Sequence, residues 1–427
     1  MIDFTSLKRN YDLFAAEYEE AALRVMRSGW YIMGPELEWF EQLFADYLGV
    51  KHCIGLNSGT DALILAVRAL GIGVMAGGSA DDEVIVPAGT YIASVLGITE
   101  NGAKPVYVDS DPDTLLMDVS AIERAITDRT KAILPVHLYG RACDMDAVMA
   151  VAEKHGIPVI EDCAQSHGAF WSGQTTGTWG DIGCFSFYPT KPLGALGDAG
   201  ACVTDDDELA DRLRMLRNYG SRVKYHNESI GRNSRLDELQ AACLSVGVSH
   251  LDTTNDMRIG IAKKYLAGIN NDKVKLPGSG PVALAEMGSF GAGASGAEES
   301  RGVSVDPGDD LSAVGGLSRS DITSNSAYDE SSDDWYDEPG NVYHLFPVLV
   351  DDQAGFRSYM ERAGVKTQVH YPIPPFLAEC YRGTSAEGRE EDYPVAAYIS
   401  KHEVSLPIYA GMPDEDVEAV IRDVNGW

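Results

Sequence analysis

The sequence predicts an α/β fold, with a large domain built on a mostly parallel sheet and a smaller C-terminal α/β domain. Between residues 52 and 206, seven short runs of apolar and β-branched residues alternate with helical stretches, as strands joined by helical crossovers do in parallel sheets. After residue 341, three further strand-like runs are separated by helical segments. The chain has 427 residues, of which 44% are hydrophobic, enough to bury a large core.

The chain is predicted to begin with a helical region over residues 10–50. Behind Pro35, apolar side chains recur at helical spacing, at Leu37, Phe40, Leu43, Phe44 and Tyr47. The seven strand-like runs that follow are "HCIGLN", "EVIVPA", "KPVYVD", "KAILPVHLYG", "IPVIEDC", "GCFSFYPT" and "GACVTDD". Their length and composition are typical of buried strands.

Two long helical regions are predicted after the seventh strand. The first, "DELADRLRMLRNYG", is expected to end at Gly220, and the second is "SRLDELQAACLSVGVSHLDTTNDMRIGIAKKYLAGI". The C-terminal part adds the strands "NVYHLFPVLV", "GVKTQVHYP" and "HEVSLPIY". We therefore expect the large domain over residues 1–250 and the smaller domain over residues 251–427.

Residues 281–340 interrupt the smaller domain with a different composition. They carry 13 acidic side chains against two arginines, are crowded with Gly, Ser and Ala, and show no apolar period. Such a composition predicts a disordered or loosely held insertion. A regulatory or partner-binding loop is the alternative, anchored by Tyr328, Trp335 and Tyr336.

The charge balance restricts the partners that this chain can bind. Its net charge is −31, from 34 basic and 65 acidic side chains, so nucleic acids and anionic membranes would repel it. No apolar run reaches the length of a membrane span, and the N-terminus lacks the apolar core of a signal peptide. The seven cysteines are scattered without a CxxC spacing, which predicts reduced thiols in a cytoplasmic protein and no metal site.

An unusual setting surrounds Lys191 in "CFSFYPTKPLGALGDAG", residues 184–200. The lysine follows an apolar strand, and Gly194, Gly197 and Gly200 follow the lysine. A surface lysine needs no such setting, whereas a lysine that is partly desolvated and loses its proton beside a flat ligand does. The glycines would let the backbone approach that ligand and leave room for substrate.

An anion seat is predicted where "LNSGTDALILAVRAL" turns from a strand into a helix. Ser58, Gly59 and Thr60 lie at this turn, and the helix begins near Asp61. Free N–H groups at a helix N-terminus, next to a glycine, can hold an anion. An ordinary helix cap, with an aspartate in the first turn, explains the same residues.

The segment "IPVIEDCAQSHGAF" predicts a buried strand with Glu161 and Asp162 at its carboxyl end, where open parallel sheets bind ligands. A carboxylate there is costly unless it meets a cation. Asp162 could therefore pair with a protonated ring nitrogen, and Gln165 could donate to an oxygen of the same ring. An aspartate that caps the next helix is the alternative. His167 is interpreted as a packed or capping histidine and Cys163 as a small core residue.

Taken together, these residues predict a site for pyridoxal phosphate. That cofactor needs a lysine, a carboxylate that keeps its pyridine nitrogen protonated, a phosphate cradle and an aromatic ring on one face. Lys191 supplies the amine and Asp162 the counter-charge. The cradle is expected from Ser58, Gly59, Thr60 and Ser186, and the stacking ring from Tyr91 in "VPAGTYIAS".

Over residues 8–278 and 341–425, the chain resembles the DegT/DnrJ/EryC1/StrS family of pyridoxal-phosphate-dependent nucleotide-sugar aminotransferases. The resemblance is carried by "SGWYIMGPELEWFE", "SGTDAL", "VPAGTYIAS", "PVHLYGRACDM", "VIEDCAQSHGA", "GDIGCFSFYPTKPLGALGDAG", "NSRLDELQAA" and "HYPIPP". It implies the fold type I architecture of aspartate aminotransferase. It also implies a homodimer with shared active sites.

The resemblance assigns roles to individual residues. Lys191 matches the lysine that binds the cofactor covalently, Asp162 the partner of the pyridinium nitrogen, and Gln165 a residue near the ring hydroxyl. Asn233 matches a residue that family members contribute to the neighbouring subunit's phosphate site. The phosphate itself would be held by Ser186 and by the backbone at Gly59 and Thr60.

The lysine implies transamination, since dehydratases of the family carry a histidine in its place. L-glutamate would pass its amino group to the cofactor, which would then aminate the keto group of a nucleotide-linked deoxysugar, while Lys191 shuttles the proton. "NSRLDELQAA", "FYPTKPLGALGD" and "HYPIPP" resemble members that aminate C3 of dTDP-3-keto-6-deoxyhexoses for deoxyaminosugar and polysaccharide synthesis. A C4 aminotransferase of the family and a catalytically silent regulatory protein with the same fold are the alternatives.

The resemblance also suggests substrate contacts and two departures. Tyr31, His370 and Tyr371 are candidate contacts to the substrate. Pro192 replaces the asparagine that usually follows the lysine, and Phe376 stands where a histidine often follows "HYPIPP". Either replacement could alter sugar recognition.

Overall fold

The computed structural model describes residues 1–276 and 340–427. Except for Gly340, the acidic insertion predicted over residues 281–340 lies outside the described residues. The helices of the described part are α1 (Leu7–Leu13), α2 (Ala15–Ser28), α3 (Pro35–Leu48), α4 (Gly59–Ala69), α5 (Ile92–Thr99), α6 (Ile122–Ala125), α7 (Met145–His155), α8 (Asp207–Leu216), α9 (Glu238–Ser249), α10 (Leu251–Gly268), α11 (Gln353–Arg362), α12 (Pro394–His402) and α13 (Asp414–Asn425).

The strands of the same residues form one large sheet and several small ones. In chain order they are β1 (His52–Leu56), β2 (Glu83–Pro87), β3 (Lys104–Val108), β4 (Thr130–Ile133), β5 (Ile160–Asp162), β6 (Phe170–Trp171), β7 (Gln174–Thr175), β8 (Ile182–Ser186), β9 (Gly200–Thr204), β10 (Ser221–Val223), β11 (His226–Asn227), β12 (Val274–Lys275), β13 (Phe346–Val350) and β14 (Glu403–Leu406).

All seven strands predicted before residue 206 belong to the large sheet. Strands pair in the orders β3-β2-β4 and β1-β9-β8-β5, and two parallel bridges, Ile133 to Val159 and Val136 to Asp162, join the two groups. The continuous order is therefore β3-β2-β4-β5-β8-β9-β1. Strand β9 runs antiparallel to both of its neighbours, and the other strands run parallel to one another, which confirms the predicted mostly parallel sheet.

Apolar cores lie on both faces of this sheet. Side chains of a strand alternate between faces, so Cys184 joins the core that contains α4 and α5, while Phe185 joins the core beneath α3 and α9. In the second core, Phe185 packs edge-on against Phe44, at 5.1 Å between ring centroids. The predicted helix behind Pro35 is thus confirmed, and it covers one face of the sheet.

A third core forms around the C-terminal antiparallel sheet β12-β13-β14. Tyr265 of α10, Phe346 of β13 and Phe356 of α11 are fully buried in it. Residues of the C-terminal part also reach the large-sheet core, among them Phe376 and Ile399. The two parts therefore share apolar contacts, and the domain boundary at residue 250 stays a prediction.

Helix α8 ends earlier than the predicted position, at Leu216 and not at Gly220. The next residue, Arg217, turns inward, and its Nη1 donates to the carbonyl of Gly55 at 3.0 Å and also to Glu41. Tyr219 adopts the left-handed region with φ 58°. These long-range contacts replace the last turn that the sequence pattern predicted.

Two other elements also differ from expectation. The single helical region predicted over residues 234–269 is divided into α9 and α10 at His250, whose φ is −119° and whose ring stacks on Phe14 at 3.7 Å. The strand predicted over "GVKTQVHYP" is wrong as a regular strand. It makes only isolated bridges, from Val365 to Ile2 and from Gln368 to Ser405. No helix among the described residues has the length and apolar character to cross a membrane.

Candidate active site

A cavity of about 470 Å³ lies at the carboxyl ends of the parallel strands. Strand β5 ends at Asp162 and β8 at Ser186, and Ser58 and Tyr91 follow shortly after β1 and β2. Because these strands run parallel, their ends meet at one edge of the sheet. The predicted residues in the lining of this large cavity are Ser58, Gly59, Thr60, Tyr91, Asp162, Gln165, Ser186, Lys191, His370 and Tyr371.

The anion seat predicted at Ser58 combines a helix cap with an unusually close backbone approach. Ser58 Oγ accepts from the N–H of Asp61 at 3.1 Å, so the helix-cap interpretation is confirmed. A Cβ added at Gly59 would lie 2.4 Å from Ser186 Cβ, and one at Gly200 would lie 2.4 Å from the Ser58 carbonyl oxygen. Two glycines therefore let three chain segments meet, with the N-terminus of α4 open to the large cavity.

The Asp162 carboxylate is buried at the wall of this cavity, with 4% exposure. Its Oδ2 accepts from Ser94 Oγ at 2.8 Å, and its Oδ1 accepts from the N–H of Ala164 at 3.1 Å. Residues 163–169 form turns and no helix, so the predicted cap of a following helix is wrong, and the Ala164 bond is part of a local turn. Burial raises the pKa of Asp162, and Ser94, Ala164 and Lys191 oppose that rise. A cationic ligand group beside Asp162 would offset the cost of burying this charge.

The neighbouring carboxylate, Glu161, points to the other side of the strand. It accepts from the backbone N–H groups of Gly177, Trp179 and Gly180, each at 2.8 Å. His137 Nε2 lies 3.0 Å from Glu161 Oε2, and Cys163 completes a buried group whose donor atoms lie within 4.8 Å of one another. Since these hydrogen bonds already satisfy Glu161, the described contacts give the group a structural role beneath the cavity.

Lys191 is half-buried, and its Nζ makes no hydrogen bond or ion pair with the described residues. Burial lowers the pKa of Lys191 to about 8, and the charge of Asp162 partly opposes this shift. About a tenth of the amine is therefore unprotonated at pH 7, far more than for a lysine of ordinary pKa, and this form is the nucleophile. The cofactor-binding role of Lys191 stays a prediction.

Gln165 joins the two walls of the cavity. Its Oε1 accepts from the N–H of Tyr139 at 2.5 Å, and its Nε2 donates to the hydroxyl of Tyr371. The Tyr371 ring lies 5.5 Å from the Tyr91 ring, which is 54% exposed at the mouth of the cavity. The ring of Tyr91 is thus free to cover a flat ligand.

A hydrogen-bonded chain leads from a buried acid to His370. Ser405 Oγ donates to the Glu403 carboxylate and lies 2.8 Å from His370 Nδ1, while the backbone N–H of His370 donates to Glu403 Oε2 at 2.7 Å. Burial raises the pKa of Glu403 to about 8 against these hydrogen bonds. Burial lowers the pKa of His370 to about 4, with Lys191 acting in the same direction. His370 therefore faces the cavity as a neutral imidazole with a fixed Nδ1 partner.

Tyr31 and Asn233 do not line the large cavity. Both are exposed, and Tyr31 directs its hydroxyl to the carbonyl of Met26 at 3.3 Å. Ile32, next to Tyr31, bridges to Asp237, which follows Asn233 by four residues in the chain. Within this single chain, the roles predicted for them have no contact to support them.

His167 and Cys163 are packed residues, as interpreted from the sequence. His167 is fully buried, between the rings of Phe185 and Phe187, and burial lowers the pKa of His167 to about 3. Cys163 is also fully buried, and burial raises the pKa of its thiol to about 12. Neither group is a base or a nucleophile at neutral pH.

The two departures from the family pattern differ in position. Pro192 is buried directly after Lys191. Phe376 is fully buried away from the large cavity, where its ring packs against Tyr107 at 5.9 Å and Tyr393 at 4.9 Å. The suggestion that Phe376 alters sugar recognition therefore lacks a direct contact, because its neighbours in the structure are core aromatics.

Three residues near the lysine were missed by the sequence reasoning. Ser94 binds the Asp162 carboxylate, and its position in "VPAGTYIAS" was the one available signal. His344 lines the cavity, and Arg258 lies close enough to help lower the pKa of His344, after burial, Lys191 and His370. Nothing in the local pattern of "MRIGIAKK" separates Arg258 from an ordinary helix residue.

Known proteins resemble this chain along its whole length. The model of the DegT/DnrJ/EryC1/StrS aminotransferase family matches residues 13–280 and 321–425. The chain is 42% identical to dTDP-3-amino-3,6-dideoxy-alpha-D-galactopyranose transaminase of Aneurinibacillus thermoaerophilus, covering 100% of this chain and 99% of the relative. It is 40% identical to dTDP-3-amino-3,4,6-trideoxy-alpha-D-glucose transaminase of Streptomyces venezuelae, covering 100% and 96%.

A solved structure extends the likeness to three dimensions. The crystal structure of S. venezuelae DesV in complex with a ketimine intermediate matches with a TM-score of 0.82 at 39% identity, covering 100% of this chain and 98% of that chain. The predicted fold class, that of the type I transferases, is confirmed by this match.

Proposed function

This chain belongs to the DegT/DnrJ/EryC1/StrS aminotransferase family, and we propose that it is a pyridoxal-phosphate-dependent transaminase. It transfers the amino group of L-glutamate to C3 of a dTDP-linked 3-keto-6-deoxyhexose. The observation that carries the proposal is one cavity in which an amine of lowered pKa, Lys191, faces the buried carboxylate of Asp162 and the open N-terminus of α4.

The choice of sugar rests on the names of the full-length relatives. The relatives from A. thermoaerophilus and S. venezuelae are both transaminases of dTDP-3-amino sugars. Their names differ at C4 of the sugar, which is deoxy in one of them, but agree on the amine at C3. This agreement supports the C3 position and the thymidine nucleotide over the C4 alternative.

The residues of the cavity fit the cofactor. The backbone at Gly59 and Thr60, with Ser58 and Ser186, would hold the phosphate where the close glycine contacts keep side chains away. Asp162 would bind the pyridinium nitrogen, Gln165 the region of the ring hydroxyl, and Tyr91 one face of the ring. When bound, pyridoxal phosphate supplies an electron-accepting ring that takes up the electrons of the C–H bond broken next to the amine.

Lys191 performs two tasks in this proposal. Its unprotonated amine captures the cofactor, and a pKa of about 8 makes this form accessible near neutral pH. With substrate in place of the lysine, the same amine would take the proton from the substrate carbon and deliver it to the cofactor carbon C4′, which keeps the nitrogen in the donor half; the sugar half would run the same transfer in reverse.

A homodimer would give Tyr31 and Asn233 their function. Tyr31 and its neighbours Trp30, Ile32 and Met33 are 39–57% exposed, an apolar run that indicates an interface. We infer that a second copy covers this run and that Asn233 reaches the partner's phosphate seat. Hybrid dimers of Lys191→Ala and Asn233→Ala test this, since only shared sites would regain about one intact site per hybrid.

The decisive experiment is the visible absorbance of the purified protein with pyridoxal phosphate, before and after L-glutamate. Capture by Lys191 should give a yellow protein that bleaches with glutamate, and Lys191→Ala should fold but stay inactive. Incubation with 3-keto and 4-keto nucleotide sugars then assigns the position of the new amine. A protein that stays colourless would refute the proposal. The predicted cytoplasmic location and lack of nucleic-acid binding stay predictions.

A further inference from the structure

A second, smaller cavity of about 220 Å³ adjoins the large one. The two cavities share five lining residues, Tyr188, Thr190, Lys191, His344 and His370. Other walls of the small cavity come from the N-terminal segment, from residues after β14 and from helix α10, which contributes Arg258. Lys191 is therefore a wall residue of both cavities.

The guanidinium of Arg258 has no acidic partner among the described residues. Arg258 is only 6% exposed. Its Nη2 donates to Asn255 Oδ1 at 2.5 Å, and its Nε has no hydrogen-bond partner. Asn255 in turn donates to the carbonyl of His167, which anchors the arrangement to the loop after β5. A buried guanidinium without a counter-charge is costly, so its presence beside a cavity points to an anion that arrives from outside.

The charge of the lining leads to the same conclusion. Although the chain has 65 acidic and 34 basic side chains, the small cavity is lined by Lys191 and Arg258 and, within the described residues, by no Asp or Glu. Burial, and then Lys191, lowers the pKa of His344 and of His370, which leaves both imidazoles neutral. Because Lys191 is taken up by the cofactor in the loaded enzyme, an entering anion meets the positive charge of Arg258, with no Asp or Glu in the described lining.

We propose that Arg258 binds a carboxylate of the amino donor, so that the small cavity is the subsite for L-glutamate. This inference rests on the proposed transaminase function and names the residue that recognises its donor. A planar guanidinium matches a carboxylate geometrically, and a ligand bound to Arg258 in this cavity lies beside Lys191, where its amine reacts. The volume of about 220 Å³ suits an amino acid, whereas ligands of drug size and larger occupy about 300–1,000 Å³.

The test uses glutarate, which has the two carboxylates of glutamate but no amine. Calorimetric titration of the cofactor-loaded protein should show glutarate binding that Arg258→Gln weakens roughly tenfold to a hundredfold, the range for a hydrogen bond to a charged group. Lys264→Gln, which removes an exposed positive charge of the same helix, should bind glutarate as the wild type does. Glutarate should also raise the melting temperature of the wild type but not of Arg258→Gln.

Kinetics separate donor recognition from a structural role. Arg258→Gln should raise KM for glutamate and leave KM for the keto sugar unchanged. If Arg258→Gln does not fold, Arg258→Lys, which keeps the charge, should bind glutarate more weakly than the wild type.

Three results would overturn the proposal. One is undiminished glutarate binding by the Arg258 variants, and another is a wild type that does not bind glutarate. The third is an Arg258 variant that loses thymidine diphosphate binding but retains glutarate binding, which would assign Arg258 to the nucleotide. Failure of the transaminase function itself looks different, because glutarate would then bind while glutamate leaves the cofactor spectrum unchanged.

Discussion

Gly59→Ala tests whether the seat at the start of α4 must be free of a side chain. The added Cβ would lie 2.4 Å from Ser186 Cβ and 2.9 Å from Ser186 Cα. Ordinary carbon contacts begin near 3.4 Å, so the two segments must separate by about 1 Å. Part of the obstacle is backbone, and a rotamer change cannot relieve it. Overpacking of this kind costs about 1–3 kcal/mol.

The strain acts on the turn at Ser58–Thr60, which would hold the cofactor phosphate. If the Ser58–Thr60 turn moves away to relieve this strain, the dissociation constant of pyridoxal phosphate should rise roughly 5- to 150-fold. The melting temperature of the cofactor-free protein should change little, because the moved turn no longer carries the strain. Titration by absorbance measures the first and thermal unfolding the second. The matched control is Gly260→Ala, because Gly260 is an exposed glycine of helix α10. A Cβ added there would have no atom within 4 Å apart from its own helix backbone. It should gain about 0.5–1 kcal/mol of stability. Unchanged cofactor affinity in Gly59→Ala would refute the phosphate seat.

Three further predictions concern charge and packing. With a pKa of about 8 for Lys191, the rate at which the cofactor-free protein captures pyridoxal phosphate should rise about tenfold per pH unit below pH 8 and level off above it. Asp162→Asn should shift the midpoint of this pH profile to lower pH, because the Asp162 charge raises the pKa of Lys191. An unmoved midpoint would contradict the pairing of the two residues. Burial raises the pKa of Glu403 from 4.5 to about 8, so the folded state holds this proton more tightly than the unfolded state. The free energy of unfolding should therefore fall as the pH rises from 4.5 to 8. Glu403→Gln should flatten that pH dependence in urea titrations at several pH values, and an unchanged slope of stability against pH would exclude Glu403 as its source. Phe376→Ala should cost about 3–5 kcal/mol in urea unfolding, while the folded variant keeps the regiochemistry of the wild type; a change of product would show that Phe376 acts on the sugar.

The sequence predicted the large sheet well because its strands are buried. Each of the seven runs is short, apolar and followed by turn or helix signals, so local pattern and tertiary burial agree. Disagreement arose where distant residues decide. The helix before Gly220 stops early because Arg217 bonds to Glu41 and Gly55, and the long helix after Ser234 breaks where His250 stacks on Phe14.

For the site, the sequence could predict residues whose position follows from strand ends. Asp162 is the last residue of the buried strand β5, and Lys191 lies in the loop that follows β8. A parallel sheet brings such strand ends to one edge. Arg258 could not be predicted, because the argument for it depends on the lack of an acidic partner among the described residues, and only the packed structure shows which groups surround it. Tyr31 and Asn233 are exposed in the single chain, so their predicted roles depend on a second copy.

The adjacent acids Glu161 and Asp162 show how the fold divides two similar side chains between structure and chemistry. Neighbours in a strand face opposite sides of the sheet. Glu161 therefore meets three backbone N–H groups and His137 on one side, and that many donors can compensate a buried carboxylate. Asp162 meets one hydroxyl and one N–H on the other and remains short of positive charge. A register shift of one residue would exchange the two, so the pairing of β5 with β8 selects which acid is left to bind a cationic ligand.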